Sequence, residues 1–168
     1  MKEKNLIDGK GFALDIGSNT GFDSIELKNL GYDVTSVDKK DFPAVEGVKF
    51  VRSDIVDFPV ETARYSFILC NNILPFIADK KIVSDTLQKI VNGLKTGGVI
   101  HLTLFGYNDD WSDDPTMSFY SYDDAIREVK RLPLEIIEKS NFDGIAVTMK
   151  GKPKHAEMHR FTCRKVIL

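Results

Sequence analysis

The stretch that decides the fold is Phe12–Asp38, which reads FALDIGSNTGFDSIELKNLGYDVTSVD. It opens with a short apolar run, typical of a buried strand, and continues into a turn that contains Gly17 and Gly21. The next residues place apolar side chains at helical spacing, and Gly31 follows as a C-terminal stop. Tyr32–Val37 then alternates and is rich in β-branched residues, which predicts a second strand.

The same order of elements continues through the middle of the chain. Val48–Val51 and Ser66–Cys70 are predicted to be the third and fourth strands. Ile82–Leu94 has helical periodicity and is followed by the Gly97–Gly98 pair, after which Val99–Leu104 indicates a fifth strand. Because parallel strands need long crossover connections that helices fill, we expect an α/β doubly wound sheet.

The last third of the chain has a different character. Asn108–Pro115 is acidic and polar and is expected to be a solvated loop. Asp123–Arg131 is a predicted helix, and Leu134–Lys139 and Arg160–Ile167 are predicted strands. Between those strands, residues 141–153 contain two glycines and a proline, which is typical of a hairpin region.

Composition excludes several classes of protein. The chain has 168 residues, 42% of them apolar, which predicts one domain over residues 1–168. A formal net charge of -2 provides no general case for binding nucleic acid or acidic membranes. Cys70 and Cys163 stand far apart, so neither a disulfide framework nor a zinc site is expected, and no other metal site is predicted. No leader or membrane span is recognised, so we expect a cytoplasmic protein.

The turn Gly17–Gly21 is the motif most informative about chemistry. Glycine allows the backbone to approach a ligand closely, and an acidic residue after the second strand, here Asp38, can accept hydrogen bonds from ribose hydroxyls. The dinucleotide pattern G-x-G-x-x-G is absent because Asn19 stands where its middle glycine would be, which disfavours NAD. No P-loop pattern occurs either, so a ligand with a polyphosphate is not expected.

On these residues the chain resembles the class I S-adenosylmethionine-dependent methyltransferases. The first family motif, an acidic residue followed by glycines, corresponds to Asp15, Gly17 and Gly21. Further landmarks occur in the family's order: Asp38 for the ribose hydroxyls, Asp54 for the adenine amino group, Cys70–Phe76 along the methionine part, and the turn Leu94–Ile100 before strand five.

The resemblance implies a fold, a cofactor and a set of contacts. The fold is a Rossmann-like sheet of seven mostly parallel strands with an antiparallel last strand and helices on both faces. The cofactor is S-adenosylmethionine, which becomes S-adenosylhomocysteine, bound by a cofactor half at about 12–105. The implied cofactor-binding residues are Asp15, Gly17, Ser18, Asn19, Gly21, Asp38, Lys39, Asp54, Ile55, Asn71 and Phe76.

The methyl acceptor is expected to be a small molecule bound on the side formed by residues 106–168. Asn72 and Trp111 are the candidate positioning residues, although Asn72 could instead cap the following turn. An aromatic lid or ordinary packing could explain the rings of Tyr107, Trp111, Phe119, Tyr120 and Tyr122. Phe105–Trp111 and the closing residues 154–165 also resemble small-molecule methyltransferases of the tellurite-resistance type, without indicating a substrate.

Two alternative functions stay open at this point. The protein could be an RNA or protein methyltransferase that uses basic residues near the C-terminus, or an inactive S-adenosylmethionine-binding module.

His101 is expected to be a hydrogen-bonded core residue, whereas His155 and His159 are expected to face solvent in the hairpin. No membrane partner is predicted, and the sequence does not predict the oligomeric state.

Overall fold

The structure, a computed structural model that describes residues 6–167, contains three α-helices and eight strands within those residues. The first part contains β1 (Phe12–Ile16), α1 (Phe22–Leu30), β2 (Asp33–Asp38), β3 (Val48–Arg52), β4 (Tyr65–Cys70), a 3-10 turn (Leu74–Phe76), α2 (Lys80–Gly93) and β5 (Leu94–Gly106). The rest contains β6 (Phe119–Tyr120), α3 (Tyr122–Lys130), β7 (Leu134–Val147) and β8 (Pro153–Lys165). Every predicted helix and strand therefore occurs, although the last two strands are longer than predicted. The prediction of a turn at Leu94–Ile100 before strand five is wrong, because β5 begins at Leu94 and takes up these residues at a shift of register with β4.

The strands form one mixed sheet in the order β3-β2-β1-β4-β5-β8-β7, and the two-residue strand β6 pairs with β5. The pairs among β1 to β5 are parallel, whereas β8 runs antiparallel to both β5 and β7. This confirms the Rossmann-like fold and the antiparallel last strand. The short β6 is an addition to the seven strands predicted.

The helices cover both faces of the sheet because successive strand residues point to opposite sides. In β1, Ala13 packs in a cluster that also contains Leu27 of α1. The next residue, Leu14, packs in a second cluster with Leu87 of α2 and Val129 of α3. One face is therefore covered by α1 and the other by α2 and α3, and the carboxyl ends of the parallel strands stay uncovered by these helices.

The pair β7 and β8 is much longer than predicted. Pairing of β8 with β5 ends at Phe105 and Met158, but β7 and β8 continue to pair as far as Val147 and Pro153. Gly144 and Pro153 lie inside these strands, and of the residues taken as turn material only Gly151 lies in the turn, at φ 74°. We refer to residues 143–157, which extend beyond the end of the β5 pairing, as the hairpin arm.

None of the helices within residues 6–167 has both the length and the apolarity needed to cross a membrane.

Candidate active site

A cavity of about 600 Å³ opens at the carboxyl ends of β1, β2 and β4. This is where open α/β sheets bind ligands, and the volume lies within the usual range for ligand pockets. Its lining comes from the glycine turn, the segments after β2 and β3, the residues that follow β4, and Met149 at the tip of the hairpin arm.

The glycine turn has a backbone that L side chains rarely adopt. Gly17, Asn19 and Gly21 all have positive φ values, of 74°, 47° and 79°. Asn19 can replace a glycine here because asparagine tolerates the left-handed region better than most residues. At Gly17 a Cβ atom would lie 1.9 Å from the Cδ1 atom of Ile73, so this turn requires glycine both for its φ and for space.

Asp38 joins the end of β2 to the glycine turn. Its Oδ2 atom accepts a hydrogen bond of 3.0 Å from the backbone N–H of Asn19, and its Oδ1 atom accepts one of 2.9 Å from the N–H of Lys40. A carboxylate has about four acceptor sites, so two remain for donors in the cavity. The geometry is therefore compatible with the predicted contact to a pair of ribose hydroxyls.

Asp15 lies beneath the turn rather than in the cavity lining. It is buried, and the hydroxyl of Ser24 in α1 donates to its Oδ2 atom while also contacting the hydroxyl of Ser36 in β2. Burial raises the pKa of Asp15 to about 6, although the Ser24 hydrogen bond opposes this shift. Asp15 thus links β1, α1 and β2 below the loop.

Asp54 and Ile55 line the cavity after β3. The Oδ1 atom of Asp54 accepts a hydrogen bond of 3.0 Å from the backbone N–H of Val56, which orients the carboxylate. The ammonium group of Lys89 in α2 donates to the carbonyl oxygens of Ile55 and Val56 at 2.7 and 2.8 Å. The segment is therefore held from two sides.

Two asparagines follow β4 and behave differently. The side-chain oxygen of Asn71 accepts a hydrogen bond of 2.9 Å from the hydroxyl of Thr103 in β5. Asn72 has φ 56°, and its buried Oδ1 atom has no hydrogen-bond partner among the described residues. Asn72 therefore does not cap the following turn through that oxygen, and the unpaired acceptor is buried in a residue that lines the cavity.

Most of the predicted site residues come together in this cavity. The lining includes Gly17, Ser18, Asn19, Asp38, Lys39, Asp54, Ile55, Asn71, Asn72 and Phe76. Asp15, Gly21 and Trp111 lie outside the lining. The ring of Trp111 packs beside that of Phe76, with 6.2 Å between centroids, and the Lys154 ammonium lies 3.8 Å from the Trp111 ring centroid.

The structure favours packing over an aromatic lid for two of the five rings. Phe119 and Tyr120 are buried in the packing of the domain. Tyr107 is exposed, and its hydroxyl accepts a hydrogen bond of 3.0 Å from the ammonium group of Lys80. Packing, the alternative explanation, thus accounts for Phe119 and Tyr120, because β6 places both residues beside β5.

His101 lies in β5 and His159 lies in β8. His101 is confirmed as a hydrogen-bonded, mostly buried residue, with its Nδ1 atom 3.0 Å from the Thr162 hydroxyl, and burial lowers its pKa. His159 is fully buried, and its Nε2–H donates to the carbonyl oxygen of Tyr120 at 2.9 Å, so the expectation that it faces solvent is wrong. Its place in β8, beside β5, explains the burial.

The expectation of a solvated acidic loop is also wrong at Asp109. This carboxylate is buried and forms an ion pair with Lys154 of the hairpin arm. Asp110 accepts a hydrogen bond of 2.8 Å from the backbone N–H of His155 in the same arm. The loop therefore anchors the arm, because two of its acids have partners 45 residues away in sequence.

Several cavity residues were not predicted. Phe22, Phe42 and Ile77 contribute apolar surface, and Met149 reaches the cavity from the arm. Phe22 directly follows Gly21, so its position after the glycine turn was a usable signal. Met149 had none, because its proximity to Asn19 depends on how the distant hairpin extends.

Comparison with known families supports the same assignment. A methyltransferase domain family matches residues 14–102, which is more than half of the chain. The chain therefore belongs to the methyltransferase domain family, and is a class I enzyme whose cofactor is S-adenosylmethionine. No curated protein matches the chain.

Solved structures share the fold at low sequence identity. A SAM-dependent methyltransferase from Methanosarcina mazei has a TM-score of 0.77 at 15% identity, covering 99% of this chain and 98% of its own. The 1,6-didemethyltoxoflavin-N1-methyltransferase of Burkholderia thailandensis, solved with 1,6-didemethyltoxoflavin and S-adenosylhomocysteine, has a TM-score of 0.71 at 18% identity, covering 94% and 72%. TehB from Haemophilus influenzae has a TM-score of 0.75 at 18% identity, covering 98% and 60%.

Proposed function

We propose that this enzyme transfers the methyl group of S-adenosylmethionine to a small-molecule acceptor within the described cavity. The observation that carries the proposal is the distribution of polar groups around the cavity. Among the described lining residues, the titratable side chains belong to the segments near β1, β2 and β3, whereas the segment after β4 carries amides and apolar groups. When bound, the cofactor supplies an electrophilic methyl group on a sulfonium.

The first of these two sides fits the nucleoside. Two carboxylates, Asp38 and Asp54, stand at the ends of neighbouring strands and match the hydroxyl and amino donors of adenosine. Gly17 leaves room for a ligand beside the backbone. We assign cofactor contact to Gly17, Ser18, Asn19, Asp38, Lys39, Asp54, Ile55, Asn71 and Phe76, and support of the turn to Asp15 and Gly21.

The second side fits an uncharged or soft acceptor. The lining after β4 consists of the amide residues Asn71 and Asn72 and of apolar side chains that include Ile73 and Ile77. Since this side contains no titratable group, the acceptor atom must already carry an available lone pair, as thiolates and neutral amines do. Asn72 would orient it, and positioning and exclusion of water would supply the acceleration.

The size of the cavity supports a small acceptor. About 600 Å³ must hold the cofactor and the acceptor together, which leaves little room for a macromolecular segment. The toxoflavin precursor in the Burkholderia neighbour is a small acceptor on the same fold. Trp111 lies behind Phe76 and outside the lining, so we assign it to support of Phe76 rather than to acceptor contact.

Calorimetric titration is the first test. S-adenosylmethionine and S-adenosylhomocysteine should each bind with a free energy on the order of -8 kcal/mol, and NAD should not bind. A panel of small thiols and amines then tests for methyl transfer. Absence of binding by both cofactor forms would refute the assignment of the cavity, and transfer to RNA or protein alone would refute the small acceptor.

Salt dependence tests the alternative of a nucleic-acid acceptor. Lys154 is paired with Asp109, and Lys165 donates to the carbonyl oxygens of Asn92 and Leu94, so two basic groups near the C-terminus are already engaged. The affinity of a basic surface for RNA falls steeply as salt is added. We therefore expect that an RNA oligonucleotide will not show such salt-sensitive binding to this protein. Steep salt-dependent binding would favour the alternative.

A further inference from the structure

The hairpin arm extends well past the rest of the sheet. Beyond the pair formed by Phe142 and Met158, five more pairs connect β7 and β8, ending at Val147 and Pro153. At about 3.4 Å per residue this is an extension of roughly 17 Å. Because β7 runs parallel to β5, the arm projects from the carboxyl edge of the sheet, which is the edge that holds the cavity.

The tip of the arm reaches the glycine turn. A tight turn follows Val147, with the N–H of Thr148 donating to the carbonyl oxygen of Lys152 at 2.8 Å. Met149, in this turn, lines the cavity, and its sulfur accepts a hydrogen bond of 3.1 Å from the side-chain amide of Asn19. The tip of the arm therefore meets the glycine turn at the β1 side of the cavity.

The paired strands of the arm are held far more firmly than its turn. The buried ion pair between Asp109 and Lys154 and a reciprocal pair of backbone and side-chain bonds between Asp110 and His155 fix β8 close to the turn. At the tip, Met149 is 80% exposed, and a thioether sulfur is a weak acceptor. The arm thus has a fixed direction and a tip contact that is easily broken.

We propose that Met149 is a positioning residue that covers the cofactor, and that the contact of Met149 with Asn19 opens to admit and release it. This inference rests on the proposed use of the cavity for S-adenosylmethionine. An unbranched, flexible thioether suits a wall that must pack against a ligand of irregular shape. Filling the cavity buries apolar surface of Met149 that is exposed without ligand, so the side chain stabilises the bound state.

Thiol labelling tests the contact without requiring activity. The native Cys70 and Cys163 thiols are buried, and burial raises the pKa of each to about 12, so they should react slowly. In Met149→Cys, saturating S-adenosylhomocysteine should slow labelling of the new thiol by roughly tenfold. Ile145→Cys is the matched control, because Ile145 is an exposed apolar residue of the same arm outside the cavity lining, and its labelling should change less than twofold.

Dissociation rates provide a second readout. S-adenosylhomocysteine should dissociate from Met149→Ala about five- to tenfold faster than from wild type. Its dissociation rates from Met149→Leu and Ile145→Ala should lie within twofold of the wild-type rate. Circular dichroism and thermal melting establish that each variant is folded. The inference would be overturned if S-adenosylhomocysteine left Met149→Ala at the wild-type rate. It would also be overturned if the ligand did not change the labelling rate of Met149→Cys.

The two proposals fail differently. If wild-type protein does not bind S-adenosylhomocysteine, the proposed use of the cavity is wrong and the role of Met149 is wrong with it. If wild-type protein binds the ligand while Met149 and Ile145 variants behave alike, the cavity assignment stands and the role of Met149 alone is refuted.

Discussion

The carboxylate of Asp38 accepts a hydrogen bond of 3.0 Å from the backbone N–H of Asn19, which ties the end of β2 to the turn after β1. Asn19 in turn donates through its side chain to Met149 of the hairpin arm. One residue of the glycine turn therefore connects an acidic cavity residue to the arm. A change at Asp38 should affect both ligand contact and the shape of the turn, so binding and stability must be measured together.

Asp38→Asn should weaken binding of S-adenosylmethionine about 10- to 100-fold, because hydrogen bonds to a charged group contribute about 1.5–3 kcal/mol. Calorimetric titration measures the effect. Asp41→Asn is the matched control, since Asp41 is an exposed neighbour paired with Arg52 and outside the cavity lining. Equal affinities of the two variants would contradict the role of Asp38.

Gly17→Ala should weaken the free energy of cofactor binding by more than it lowers the free energy of unfolding. The new Cβ forces Ile73 to move, and Ile73 lines the cavity, so the displaced side chain takes ligand space. Gly97→Ala is the control because Gly97 has a similar φ of 80° with nothing within 4 Å of its Cβ position. Gly97→Ala should cost about 1 kcal/mol in the free energy of unfolding and leave binding intact. Normal binding by Gly17→Ala would argue against close ligand approach at this turn.

Asp15 should make stability depend on pH in a defined direction. Its pKa is raised from 3.8 to about 6 in the folded protein, so the folded state binds more protons than the unfolded state between these values. The contribution of Asp15 to the free energy of unfolding is therefore greatest below pH 4 and falls, by about 3 kcal/mol, as the pH rises through 6.

Urea unfolding of wild-type protein and Asp15→Asn across this range isolates that contribution as a difference. Ser24→Ala should shift the window upward, because the Ser24 hydrogen bond lowers the pKa of Asp15. A difference that stays constant from pH 4 to pH 7 would show that Asp15 is not perturbed.

The Asp109 and Lys154 pair should couple strongly. Lys154→Met leaves a buried carboxylate without its cation, which should cost about 3 kcal/mol in the free energy of unfolding. The double variant Lys154→Met/Asp109→Asn should be more stable than Lys154→Met alone, because the unpaired charge is removed. Denaturant unfolding measures both.

The exposed pair Asp124 and Arg127 of α3 provides the comparison for that cycle. Solvent screens this pair, so its replacements should show no measurable coupling. If the buried pair couples no more strongly than this one, the anchoring of the hairpin arm does not depend on the ion pair.

Local patterns in the sequence were sufficient for the helices, for the positions of seven strands and for much of the cavity lining, but not for the lengths of β7 and β8. The glycine turn and Asn71 directly follow β1 and β4, Asp38 is the last residue of β2, and Asp54 comes two residues after β3 in the parallel part of the sheet. Because the carboxyl ends of parallel strands meet at one edge, their positions in the chain place them around one cavity. The pattern of strands and helices predicted the fold, and the resemblance of these motifs to class I methyltransferases implied the cofactor.

The tertiary structure alone decided the residues that cross between distant elements. Asp109 contacts Lys154 across 45 residues, and Asn19 contacts Met149 across 130. Such contacts depend on the length and direction of the β7 and β8 pair, and exposed strands with alternating polar residues carry little signal for where pairing ends. The sequence by itself therefore determined which residues after β1 to β4 line the cavity, whereas the packing of the hairpin arm placed Met149 in that lining.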